Sequence, residues 1–259
     1  MLNYIRAELY KLLRRPYTYI ALGILLALEA LYASMFALHN AHSMATPFGG
    51  AVTTIVEMGT IGFCVCLLTG DIVFAGQYKN STLKNEVSFG LGRARIYLGK
   101  LLAQTLLSIV YLAVMMAFFL GLCAVVLPME ASSGAFSAEK GLTIVGYFLA
   151  VGLPLWIGAQ AAACMCLFLV SGEMAGSFLY VGLVFVLENI FGIAGLFIKG
   201  PVGELLIKVG EYFPRPMLDT AKTVVGDPVY LGRAWIVGAF WVAVCTAVGL
   251  YGFRRKEIK

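Results

Sequence analysis

The chain has 259 residues, 61% of them hydrophobic and 13% charged, with 17 Phe beside 13 Tyr and a formal net charge of +5. That much apolar surface cannot be hidden inside one soluble core, so lipid has to be the solvent for a large part of it. The basic excess does not point to nucleic acid, because the Lys and Arg residues stand at the ends of apolar runs and form no basic domain of their own.

Residues 1–16 place Leu2, Ile5, Leu9, Leu12 and Leu13 on one helical stripe, with Arg6, Lys11, Arg14 and Arg15 mostly elsewhere. This predicts an amphipathic helix lying along the inner membrane surface until Pro16 turns the chain; a solvated cap is the alternative. Apolar runs follow at approximately 17–38, 51–75, 101–127, 142–170, 177–199 and 232–252. Each is long enough to cross about 30 Å of hydrocarbon as a helix. The first is too long for the apolar region of a secretory signal and is expected to stay as a span. Gly152 and Pro154 mark a bend in the fourth.

Between the second and third runs lies a short polar and basic stretch, Gly76 to Lys100. Asn80 or Ser81 suits a helix N-cap, Leu83 and Val87 fall on one face, and Gly90 suits a left-handed stop. A helix over roughly 81–89 is expected, with Arg93, Arg95 and Lys100 anchoring the mouth of the next span. Residues 200–231 mix apolar and charged positions, and Pro214 and Pro216 break them into two helical pieces. Short helices dipping back into the outer leaflet would fit this pattern.

The basic residues orient the chain: four lie in the N-terminal segment, five in 76–100 and four in the C-terminal tail, thirteen of nineteen on one side if six spans are drawn. Both termini are therefore expected to be cytoplasmic. Lys199, Lys208, Arg215, Lys222 and Arg233, in or beside the segment after span five, are the main exception.

No phosphate-binding loop is present, since Ala94 stands where the first glycine of such a loop would precede Gly99-Lys100, and no His-Glu-x-x-His or Gly-x-Ser-x-Gly motif occurs. No catalytic, cofactor or metal site is read on this chain. His39 and His42 read as loop histidines rather than metal ligands, and the six cysteines as small buried hydrophobes. The informative polar residues are three acids inside apolar runs: Glu29, Glu57 and Glu188. A carboxylate in hydrocarbon must be neutral, paired or facing a watery cavity. Helical rise lets Glu29 and Glu57 share one depth, so the acids suit a cavity for a cationic substrate, a proton path, or a purely structural role.

Ile5-Arg6-Ala7-Glu8-Leu9-Tyr10-Lys11-Leu12, Tyr78-Lys79-Asn80-Ser81-Thr82-Leu83-Lys84, Gly92-Arg93-Ala94-Arg95-Ile96-Tyr97-Leu98-Gly99-Lys100 and Tyr212-Phe213-Pro214 follow one another in an order that resembles the type-2 ATP-binding-cassette (ABC) permeases. The resemblance covers nearly the whole chain. It implies an all-α membrane protein of six transmembrane helices with an N-terminal interfacial helix, a cytoplasmic coupling helix between spans two and three, and short re-entrant helices between spans five and six. It further implies a bacterial cytoplasmic-membrane exporter subunit, with ATP and Mg on two copies of a separate ATPase and with a second permease, identical or related, as partner. Bacteriocins or other amphipathic compounds are the implied cargo, and closure of the ATPases would pull the coupling helix and tilt spans one, two and five. Tyr78, Lys79, Ser81, Leu83, Lys84, Val87 and Phe89 become the ATPase contacts. Gln77, where many relatives carry an acid, departs from the pattern. The rival reading is a proton-coupled secondary transporter using Glu29, Glu57 and Glu188.

Overall fold

A computed structural model describes residues 2–42, 46–75, 77, 82–129, 137–170, 172–198 and 200–256. The described residues are all-helical, and six helices are long and apolar enough to cross a membrane. Helix α1 (Leu2–Leu13) precedes the first span, α2 (Pro16–His42). Span two is α3 (Phe48–Met58) and α4 (Gly62–Phe74), joined by a single 3-10 turn at Gly59–Ile61. The short α5 (Thr82–Ser88) leads to span three, α6 (Arg93–Val126), and span four, α7 (Ala138–Leu169). Span five is α8 (Glu173–Val181) and α9 (Leu187–Phe197) around a π-helical turn at Gly182–Val186. Then come α10 (Pro201–Glu211), α11 (Pro214–Thr220) and span six, α12 (Pro228–Arg255).

Several boundaries differ from those read in the sequence. Span three begins at Arg93, so Arg93, Arg95 and Lys100 lie on the spanning helix itself and not in a loop before it. Apolar runs mark where hydrocarbon begins, whereas the helix itself starts at its own N-cap, here Gly92. Helix α7 runs unbroken through Pro154, where the sequence predicts a bend.

Helix α7 is the hub, because its middle is faced with small side chains. Ala159, Ala161, Ala162 and Ala163 are buried, and neighbouring helices approach to backbone distance. A Cβ on Gly238 of α12 would stand 2.5 Å from the Pro154 carbonyl, and one on Gly158 would stand 2.9 Å from Trp241 Cβ. In a bilayer, where lipid is as apolar as a side chain, this close packing is what holds helices together. Thr69, Gln104, Ser108 and Gln160 add polar links inside it. Gln104 Nε2 donates to Gln160 Oε1 at 2.6 Å, and Gln160 Nε2 donates to Thr69 Oγ1 at 3.2 Å and to Ser108 Oγ, tying spans two, three and four.

At the end away from the termini, α10 folds back along α9. A Cβ on Gly203 would stand 1.8 Å from the Ile198 carbonyl oxygen and 2.7 Å from that of Gly195, so two glycines set the separation of this hairpin. Gly200, with φ +102, makes the reversal in a conformation that only glycine adopts cheaply.

Candidate coupling site and membrane cavity

Helix α5 is placed by a polar knot with three supports. Glu8 and Lys11 come from α1 at i,i+3 spacing, Glu86 from α5 and Lys100 from the first turns of α6. Lys11 Nζ lies 2.7 Å from Glu8 Oε1 and 3.4 Å from Glu86 Oε1. Lys100 Nζ, with no exposure, lies 3.2 Å from Glu8 Oε2 and 3.7 Å from Glu86 Oε1. Tyr4 donates its hydroxyl to Glu86 Oε2 at 2.8 Å, and its ring lies against Gly99, where a Cβ would come within 2.3 Å. Two carboxylates and two ammonium groups close the charge balance, which is what makes burial of Lys100 tolerable.

The electrostatics follow from that arrangement. Burial pushes the Glu8 carboxyl up, but Lys100 and Lys11 together outweigh it and hold Glu8 below its ordinary value of 4.5. For Tyr4, burial and then the charges of Glu8 and Glu86 all act in one direction and push the phenol far above its usual range, so it remains a donor. Lys11 keeps its proton because Glu8 and Glu86 outweigh its own desolvation.

The sequence named Leu83 and Val87 as partner contacts, yet the structure turns both inward. Leu83 is 3% exposed and, with Val87 against it, belongs to the cluster formed by Leu12, Phe74, Ile96 and Phe168. An apolar i,i+4 pair on so short a helix is the face that holds the helix to its own bundle. The outward surface includes Lys84, Asn85, Ser88 and Phe89, the last 87% exposed. Gly90, with φ +83, ends the helix in the left-handed conformation expected of it. Tyr78, Lys79, Ser81 and the alternative cap Asn80 lie outside the described residues.

The same end of the bundle is laced by carbonyl caps. Arg93 Nη1 donates to the carbonyls of Phe253, Arg254 and Lys256, and Lys256 Nζ donates to that of Phe168. Arg15 Nη1 reaches the Ile72 carbonyl at 2.6 Å. These cations satisfy helix C-termini, where orphan carbonyls and the helix dipole favour positive charge.

The three membrane acids are not brought to one place. Glu29 lines a cavity between spans one to four. Glu57 is exposed and paired with Lys222 Nζ at 3.1 Å, while Lys222 also holds Asp219 at 3.1 Å. Glu188 is paired with Arg215 Nη1 at 2.6 Å and lines a separate groove against α10. Equal depth in two helices says nothing about how each is turned about its axis, and rotation decides which acids meet. Five of the six cysteines are buried, and among the described residues no three His, Cys, Asp or Glu side chains converge as a metal site.

Sequence reasoning passed over Glu86 altogether and took Lys100 as a membrane anchor. Its only local signal was the Glu8–Lys11 spacing. The central Gln104 and Gln160 were visible as polar interruptions of apolar runs, but nothing local says that they face each other.

Six apolar helices, α1 and the last turn of α12 at one end of the bundle, and a charge-balanced knot presenting a short helix define a multi-pass helical membrane protein. Residues 4–185 match the family described as ABC-2 family transporter protein. With well over half of its length matched, the chain belongs to that family and is a permease subunit of the ABC type. The matched region runs from α1 into span five and contains the whole knot, Glu29 and Glu57. No curated protein matches the chain.

Proposed function

We propose that this chain is the membrane-spanning subunit of an ABC exporter in the bacterial cytoplasmic membrane, with both termini cytoplasmic. It moves an amphipathic substrate outward using ATP hydrolysed, with Mg, on two copies of a separate ATPase, and it works beside a second permease that is identical to it or related. The observation that carries this reading is the knot of Glu8, Lys11, Glu86 and Lys100, which clamps α5 to α1 and α6 while leaving Lys84 and Phe89 outward. A helix seated in a partner's groove passes on a displacement only if it is rigidly joined to the spans it must move. The buried charge pairs supply that joint, since separating them inside the protein is costly. Phe89 and Lys84, both outward, supply an aromatic anchor and a cation for the groove. The fold-back of α10 along α9 supports a re-entrant outer segment, because α9 is part of the fifth spanning helix.

The test uses the full tagged chain co-expressed with its ATPase. Phe89→Asp together with Lys84→Glu should abolish co-purification and vanadate-sensitive transport while leaving the thermal midpoint of the permease within about 1–2 °C, as exposed substitutions do. Retention of a fully active ATPase by that variant would refute the assigned contact. The secondary-transporter reading is served less well, because Glu57 and Glu188 each already hold a cation. Transport that followed the proton gradient and ignored vanadate would establish it.

A further inference from the structure

The cavity that Glu29 lines has a volume of about 530 Å3 and opens between spans one, two, three and four, with Leu218 of α11 at its outer end. Its wall is almost wholly apolar, and among the described residues that line it Glu29 is the one charged side chain. Glu29 Oε2 is buried and, among the described residues, has no hydrogen-bond partner. Every other buried or half-buried carboxylate already met has a cation: Glu8 has Lys11 and Lys100, Glu86 the same two, and Glu188 has Arg215. On an apolar wall without a counter-charge, the ionised form of a half-buried carboxylate is costly unless a cation from elsewhere pairs with it.

We infer that this cavity is a binding site for a compact lipophilic monocation, an apolar body carrying one protonated amine that pairs with Glu29. The inference deepens the export reading above and rests on it only in treating the ligand as cargo. Three features select this occupant. The single acid balances one positive charge and no more, which disfavours a polycationic peptide, since each further buried ammonium would lack a partner. The volume is that of a site for a drug-sized molecule. The wall also offers the stacked rings of Tyr32 and Phe119, 6.2 Å between centroids, whose faces attract cations, and the flexible thioethers of Met115 and Met116, which adapt to apolar bodies of different shape. A lipid tail would satisfy the apolar wall but would leave the carboxylate unpaired.

The outer end of the cavity is held by short polar links. Thr60, in the 3-10 turn of span two, donates to Asp219 Oδ1 at 3.2 Å, and Tyr230 donates to the Met217 carbonyl at 2.7 Å. Helix α11, which carries Leu218, is thereby fixed to spans two and six and forms part of the cavity wall.

The experiment uses the full-length permease in lipid nanodiscs without any ATPase, with dansylcadaverine as the amine probe and its N-acetylated derivative as the uncharged control. The dansyl emission of the amine should shift to the blue and saturate, with wild-type affinity at least about tenfold higher than that of the acetylated form, as a charge-assisted hydrogen bond requires. Glu29→Gln should remove that preference while leaving the acetylated probe bound as before, which also reports that the cavity is intact. Leu112→Trp, which fills the cavity, should weaken both probes. Equal wild-type affinity for the two probes, or unchanged amine binding in Glu29→Gln, would overturn the inference. Because the wild-type comparison needs no variant, a misfolded mutant does not protect it. Absence of saturable amine binding would overturn it too while leaving the exporter reading standing, and failure of ATP-dependent transport leaves the binding site standing.

Discussion

Replacing Lys100 by Met tests whether the knot holds α5 to the bundle. The side chain has no exposure, and its ammonium stands 3.2 Å from Glu8 and 3.7 Å from Glu86. Removing one member of a buried ion pair costs about 3–5 kcal/mol when the other charge is left alone. Here Lys11, half-exposed and 2.7 Å from Glu8, keeps part of the pairing, so about 2 kcal/mol is expected for opening of the α1–α5–α6 junction. At 1.4 kcal/mol per decade that is roughly a thirtyfold rise in the open population. Hydrogen exchange in nanodiscs reads it at the amides of Phe89, Gly90 and Leu91, which close the helix end on the carbonyls of Asn85, Val87 and Glu86. These should exchange about thirty times faster while the middle of α7 is unchanged. The double variant Glu8→Gln with Lys100→Met removes one charge of each sign and leaves Lys11 with Glu86, so it should recover at least half of the loss. Wild-type exchange in Lys100→Met, or costs that simply add in the double variant, would refute the reasoning.

The knot should also be acid-labile. Because Glu8 is held below 4.5 in the folded chain, its contribution is complete above that value and drains away as pH falls through the depressed folded value. Exchange at Phe89 to Leu91, corrected for intrinsic rate, should therefore accelerate in acid, and the acceleration should vanish in Glu8→Gln. At the other end of the bundle, Gly203→Ala would set a Cβ 1.8 Å from a backbone carbonyl oxygen, which cannot move as a side-chain tip can. The α9–α10 hairpin should open, at a cost of about 3 kcal/mol or more, giving protease access near residues 200–211. Gly121→Ala, with nothing within 4 Å, is the neutral control.

What the chain declares locally it declares well. Six spans follow from runs of apolar residues, because a helix is the backbone's cheapest way across lipid. The short helix before Gly90 follows from a spacing and a glycine, and both ends of the chain come to the same end of the bundle as an even number of spans requires. Each of these depends on residues a few positions apart. Which way the apolar face of α5 turns was not legible in the sequence, because two apolar residues on one side of a helix fit a partner's groove and the chain's own core equally well. Packing decided for the core and left Phe89 outside.

The remaining decisions belong to tertiary structure alone. Glu8 meets Lys100 across 92 positions, and Gln104 meets Gln160 across 56, through helix rotations and crossing distances that no window of sequence contains. The same geometry gives Glu57 and Glu188 their cations and, among the described residues, leaves Glu29 on an apolar wall without one. Composition determined that this protein lives in lipid and how often it crosses. Only the packing of glycine and alanine faces, which sets each helix's rotation about its own axis, determined which charges are neighbours and therefore where the chain has a joint and where it has a cavity.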